Sequence, residues 1–211
     1  MSLRSAVLAV VLSATILPWS PITMVQADEI TPQTTSTFST AGNPKTLGIV
    51  LTLEYPRDWS PFDNDKQNLI QSWNVREGKG WHFAQLLVMP VLNQELTKAT
   101  LAEAVAESVS GEPWTLPPGA EFLSGENIAV GGQPGALVEF KMVGPKAGMR
   151  YPLYGIATST YWKDSLVQLV LTVGLETQDE SFAEQMLDGY RPGYLDVVRS
   201  LKFEGQWEPA E

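Results

Sequence analysis

The sequence predicts an α+β fold, an antiparallel β-sheet sandwiched by helices, and three observations predict it. Apolar residues alternate with polar ones at the strand period in several separate segments. The connections between neighbouring segments are too short for a parallel crossover, which needs a dozen or more residues. Helix-period segments follow blocks of strands instead of alternating with each strand, the order of an α+β chain.

The first strand is expected over Leu47 to Tyr55, where Ile49, Leu51, Leu53 and Tyr55 share one face and Thr52 and Glu54 the other. Pro56 ends it, since proline has no N–H for the ladder. A second strand fits Leu69 to Val75. A third fits Trp81 to Val91, apolar on both faces apart from His82 and Gln85, so both faces should be covered. From Lys98 to Ser110 the period changes. Leu101, Val105 and Val109 recur every four residues, Thr100 with Glu103 reads as a capping box, and Gly111 and Pro113 stop the helix.

Strand periodicity returns between Phe122 and Val173, with Ala136, Val138, Phe140 and Met142 opposed to Glu139 and Lys141, and Val167, Leu169, Leu171 and Val173 opposed to Gln168 and Thr172. The stretches Gly131 to Gly135 and Gly144 to Gly148 separate neighbouring strands. A further helix has Thr177 and Glu180 as its capping box, buried pairs Phe182 with Met186 and Ala183 with Leu187, and Gly189 as terminator. A last short helix is expected over Pro192 to Ser200.

The flanks divide the chain further. A basic start with Arg4, an apolar run from Ala6 to Leu17 and the small-residue site Val25-Gln26-Ala27 read as a signal peptide, 1–27, cleaved after Ala27. The apolar run is too short to span a bilayer, which takes about 20 residues; the competing reading is an uncleaved anchor or buried helix. Residues 28–45, rich in Thr, Ser, Pro and Gly, read as a flexible leader. A single globular domain is then expected over 46–204, with 205–211 as a tail. Removing residues 1–27 from the 211 leaves 184, enough for one sizeable core and short of two ordinary domains.

Composition excludes several functions. Losing Arg4 leaves 13 basic residues against 24 acidic ones, about 11 net negative charges. That balance disfavours nucleic acid, whose phosphates call for a Lys/Arg-rich surface. There is no cysteine, so neither disulfides nor a lipid-modified cysteine anchor is available, and the expected location is periplasmic or secreted, with no membrane span after cleavage. With one histidine and no cysteine a zinc site of the usual kind is not expected. No phosphate-cradling loop or nucleophile elbow occurs, and no cofactor is expected.

The remaining candidates are few. His82 can in principle act as a general base, against a reading as a structural polar residue at a strand start. Asp58, Asp63 and Asp65 crowd one segment and offer oxygen ligands for calcium, but without the EF-hand spacing; a solvated acidic loop competes with that reading. Trp59, Trp73, Trp81, Trp114 and Trp162 are many indoles for one domain. Tryptophan builds cores and also binds partners or sugars, so Trp59, Trp81 and Trp114 join His82 as candidate ligand or partner residues. Trp114, between Pro113 and Pro117-Pro118-Gly119, is the one best suited to the surface.

The segment Tyr55-Pro56-Arg57-Asp58-Trp59, a strand ending in Tyr-Pro followed two residues later by Trp, and the ending Leu195-Asp196-Val197-Val198-Arg199-Ser200-Leu201-Lys202-Phe203 frame residues 47 to 203. Together they resemble the PsbP-like fold, the superfamily of the photosystem II extrinsic subunit P and the Ran-binding Mog relatives, here as a bacterial exported member. The resemblance implies a PsbP-like α/β/α sandwich used for binding or assembly, without common catalytic apparatus and without a named partner. Trp59 is expected to fold back over the sheet end, making this segment a structural corner. The functional expectation is an exported non-enzymatic binding or accessory domain of the bacterial envelope, its partner another envelope protein or complex. The alternative is a periplasmic hydrolase or carbohydrate-binding protein, which requires an open cleft lined by at least two of Trp59, Trp73, Trp81 and Trp114 beside a carboxylate pair.

Overall fold

The computed structural model describes residues 34–75, 81–91, 97–110, 116–146, 149–174 and 180–207. The expected signal peptide with its cleavage point, the Gly111-Pro113 helix stop, Trp114, the Thr177 cap and residues 208–211 lie outside them, as do the side chains of Trp81 and Phe182.

The fold is the α+β sandwich that the alternation predicts. Seven strands form an antiparallel sheet in the order β3 (Ser60–Phe62), β4 (Leu69–Asn74), β5 (Trp81–Pro90), β9 (Ser165–Gly174), β8 (Met149–Trp162), β7 (Gln133–Lys146) and β6 (Glu121–Val130). A small sheet pairs β2 (Leu51–Pro56) with β1 (Thr35–Ser39) on one side and β10 (Lys202–Phe203) on the other. Successive strand residues point to opposite faces, so neighbours such as Tyr161 and Trp162 enter different cores. The main core lies on one face, where Leu51 and Leu53 of the small sheet and Ala183, Leu187 and Tyr194 of helix α2 (Glu180–Ser200) cover Leu86, Ile156, Leu169 and Leu171. On the other face helix α1 (Lys98–Val109) places Leu101 and Val105 on Tyr161 and Leu166.

The first departure from expectation is in the leader. Thr35–Ser39 is a strand, paired with β2 from Thr35↔Pro56 to Ser39↔Thr52. Its single large apolar residue is enough to fix it, because the Phe38 ring meets Trp73 edge-on at 5.5 Å. Beyond it the buried Thr40 hydroxyl donates to the Ile49 carbonyl at 2.9 Å. Threonine, read as a mark of disorder, here serves as a β-branched strand former. The next strand starts at Leu51 and not Leu47, since Leu47 and Gly48 both turn through positive φ. At the other end Trp207, assigned to the tail, packs beside Trp162 at 5.7 Å.

The helices differ too. α1 is capped one turn earlier than expected: Thr97 is the N-cap, its hydroxyl accepting from the Thr100 N–H at 3.2 Å while the Thr100 hydroxyl accepts from the Thr97 N–H at 2.8 Å. A threonine hydroxyl thus takes the role assigned to the Glu103 carboxylate. The helix lies so close to β6 that a Cβ on Gly125 would sit 2.1 Å from the Val109 carbonyl oxygen, which is why that strand position is glycine. α2 is one helix, not two: it runs through Gly189 and Pro192 without ending. The buried series Ala183, Leu187, Tyr194, Val197 and Val198 keeps the helical period across both, and that burial outweighs their poor propensity. In the β6–β7 hairpin only Gly131 and Gly132, both at positive φ, form the turn; Gln133, Pro134 and Gly135 already belong to β7.

Candidate functional site

Three recesses bear on function, and the first is the corner. The Pro56 carbonyl accepts from the Trp59 N–H at 3.0 Å, which closes a tight turn after β2, and the Arg57 N–H donates to Thr34 at 3.1 Å, which ties the turn to the strand before it. The turn folds Trp59 back until it is 5% exposed, 6.4 Å from the fully enclosed Trp73, which Tyr55 also meets at 5.4 Å. The expected structural corner is therefore an aromatic cluster. What remains visible of Trp59 borders a pocket of about 160 Å³ with Pro56, Asp58, Gly189, Tyr190 and Gly193.

His82 lies behind that pocket. It is the second residue of β5, 4% exposed, with its ring edge-on to Tyr190 at 5.7 Å. Burial under Tyr190 leaves little of its ring in reach of solvent.

The acidic candidates do not converge. Asp58 borders the pocket, whereas Asp63 and Asp65 lie exposed in the loop after β3. Among the described residues no three His, Cys, Asp or Glu side chains could together hold a metal ion. A cation already serves that loop: the Lys45 ammonium donates to the Asn64 carbonyl at 2.6 Å and to the Lys66 carbonyl at 3.3 Å.

The other two recesses flank α1. Between α1 and the β6–β7 hairpin lies a groove of about 450 Å³ walled by Leu101, Ala102, Val105, Ile128 and Pro134, with Asn127 and Gln133 as its polar groups. On the opposite flank a pocket of about 340 Å³ is bounded by Met89, Val91, Ala104, Leu166, Glu107 and Tyr161. Burial pushes the Tyr161 hydroxyl up to about 12; the Ser108 hydroxyl bonded to it pulls the other way, and the nearby Glu107 carboxylate raises it further. A phenol at that value is neutral at any physiological pH and acts as a hydrogen-bonding group, not a base. Its raised value contributes stability that is fully present below pH ~10, where an unfolded tyrosine titrates, and is lost as pH rises toward about 12. Tyr161→Phe should therefore flatten the decline of unfolding free energy across that window by about 1.4 kcal/mol per pH unit, read from urea titrations at stepped pH.

Sequence reasoning singled out Asp58 and Trp59 of the corner pocket, but not its helix wall and not the two recesses that flank α1. The α1 groove arises where a helix meets a hairpin distant in sequence, which periodicity does not reveal. The corner pocket did carry a signal, two glycines four residues apart, but inside a helix that reads as a terminator. Among the described residues no helix is long and apolar enough to cross a membrane. The sequence matches no family model and no curated protein. Among solved structures the chain is similar to a mutant of the protein Mog1, at 11% identity and a TM-score of 0.49, over 80% of this chain and 95% of that one. It is similar also to LpqN, involved in cell envelope biogenesis of Mycobacterium tuberculosis, at 12% identity and a TM-score of 0.42, over 80% of this chain and 91% of that one.

Proposed function

We propose that the chain is an exported, non-enzymatic binding or accessory domain of the bacterial envelope, a PsbP-like sandwich that engages another envelope protein through the α1 groove. One observation carries this reading: the groove encloses about 450 Å³, and the walls named for it are apolar side chains and neutral amides, without an ionisable group. Such walls can hold an apolar side chain and orient it by hydrogen bonds, and they have nothing with which to move a proton. The hydrolase or carbohydrate reading asks for at least two of Trp59, Trp73, Trp81 and Trp114 on an open cleft, and two of those four, Trp59 and Trp73, are buried and packed against one another.

The test is site-specific photo-crosslinking in intact cells with benzoylphenylalanine replacing Ala102, at the groove mouth, or Glu184, exposed on α2. One discrete adduct from position 102, absent from 184, is expected, and sequencing of the mature protein should begin at Asp28. The same adduct pattern from both positions would count against the groove, and a chain retained with its first 27 residues in the cytoplasm would overturn the exported role.

A further inference from the structure

We propose that the corner pocket is a binding site for a small organic cation, a methylated ammonium being the best fit. The pocket is independent of the α1 groove, and its case starts from α2. Gly189 and Gly193 stand four residues apart on the helix face that walls the pocket. Glycine inside a helix is less stable there than alanine. Close packing does not call for it at either position, since a Cβ on Gly189 or Gly193 would meet no atom within 4 Å, and neither residue turns through positive φ. Helix stability is thus forgone beside a recess that no described residue fills.

The chemistry around that space selects a cation. Asp58 offers a carboxylate at the rim, and Tyr190 supplies aromatic surface beside the little of Trp59 that is exposed. Ring quadrupoles attract cations within about 6 Å of a face, and methylated ammonium groups favour them because they shed water easily. No Lys or Arg is among the described walls of the pocket, and the arginines next in sequence to Asp58 and Tyr190 are engaged elsewhere. The Arg57 Nε donates to the Thr35 carbonyl at 3.2 Å, and Arg191 pairs with the Glu139 carboxylate. A chain with formal net charge of −10 adds an attractive field. The volume of about 160 Å³ holds about five groups the size of a water molecule, the scale of a trimethylammonium head.

The experiment is titration of the full-length chain with choline at constant ionic strength, followed by the amide resonances of residues 189 and 193. Saturable shifts are expected with choline and not with 3,3-dimethylbutanol, its neutral isostere. Asp58→Asn should weaken choline binding about five-fold or more, and Gly193→Leu should abolish it with the melting midpoint retained. Gly189→Ala should raise that midpoint by about 2 °C while weakening choline. Equal shifts from the neutral isostere, or an Asp58→Asn variant that binds as the parent does, would overturn the cation assignment. A lower midpoint for Gly189→Ala would remove the argument that the space is reserved. Crosslinking from position 102 is unaffected by any of these results, so this site and the proposed docking groove stand or fall separately.

Discussion

Trp73→Ala should lower the unfolding free energy by about 4 kcal/mol, the largest loss expected of any single truncation in the chain. Trp73 has no exposed surface, and its ring joins parts of the molecule that no strand pairing connects. It stands on β4 in the large sheet, opposite Ala84 of β5. Phe38 of β1, Tyr55 of β2 and Trp59 of the corner meet it at 5.5, 5.4 and 6.4 Å. The small sheet is thus pinned to the large one through this indole. Truncation removes the transfer energy of the buried ring and leaves a cavity, and each aromatic pair lost adds about 0.5 to 1.5 kcal/mol. The melting midpoint should fall by about 10 °C, and limited proteolysis should release β1 first, at Lys45. Trp59→Phe, which keeps a ring in the cluster, should cost less than half as much. A Trp73→Ala variant within about 1 kcal/mol of the parent would mean that β10 and α2 alone hold the small sheet in place.

This cluster also marks what could be read in the sequence. Leu51 and Leu53, or Val167 through Val173, announce their strands because one face is buried and the side-chain period is two. The corner at Pro56 was legible because proline brings no N–H to the ladder, and Pro56 is the last residue of β2. Phe38 was not. A lone aromatic among Thr and Ser has no period, and its burial depends on Trp73, 35 positions on, a partner that only folding supplies. The same limit hid the continuity of α2. Gly189 and Pro192 are local signals of an end, whereas the residues that carry the helix past them, Tyr194 and Val198 among others, do so through contacts with sheet strands. The candidate residues show the same limit from the other side. Trp59 and His82 were singled out for their chemistry, but an indole or imidazole serves a core and a site equally well, and the neighbours that decide, Trp73 and Tyr190, come from other elements. Tyr190, Gly189 and Gly193 were passed over for that reason too, since a pocket wall exists only once the helix lies against the corner.

Tyr194→Phe should cost about 2 to 3 kcal/mol although it removes a single oxygen atom. Tyr194 is fully enclosed in the centre of α2. Its hydroxyl accepts from the Thr158 N–H at 3.0 Å, reaches the Leu169 carbonyl at 2.6 Å as donor, and lies 2.9 Å from the Thr158 hydroxyl. Thr158 and Leu169 face one another across β8 and β9, so one oxygen joins the helix to the middle of the sheet. Phenylalanine fills the same volume, which removes any cavity contribution and leaves buried partners on both strands without the hydroxyl they bonded. An exposed tyrosine that lost its hydroxyl would change stability by a few tenths of a kcal/mol, so chemical denaturation separates the two cases. Alkaline pH offers a second readout. Burial raises the Tyr194 hydroxyl far above the usual tyrosine range, with the Thr158 hydrogen bonds opposing it only in part. The protonated phenol is the form the fold holds, so its contribution is fully present below pH ~10 and is lost as pH climbs beyond it. The parent should lose stability above pH ~10 with the slope of two protons, one from Tyr161 and one from Tyr194, and each Phe variant should remove one of them. If Tyr194→Phe kept the full parental slope, Tyr194 would be titrating in the folded state, and the hydroxyl could not be the sealed link between α2 and the sheet.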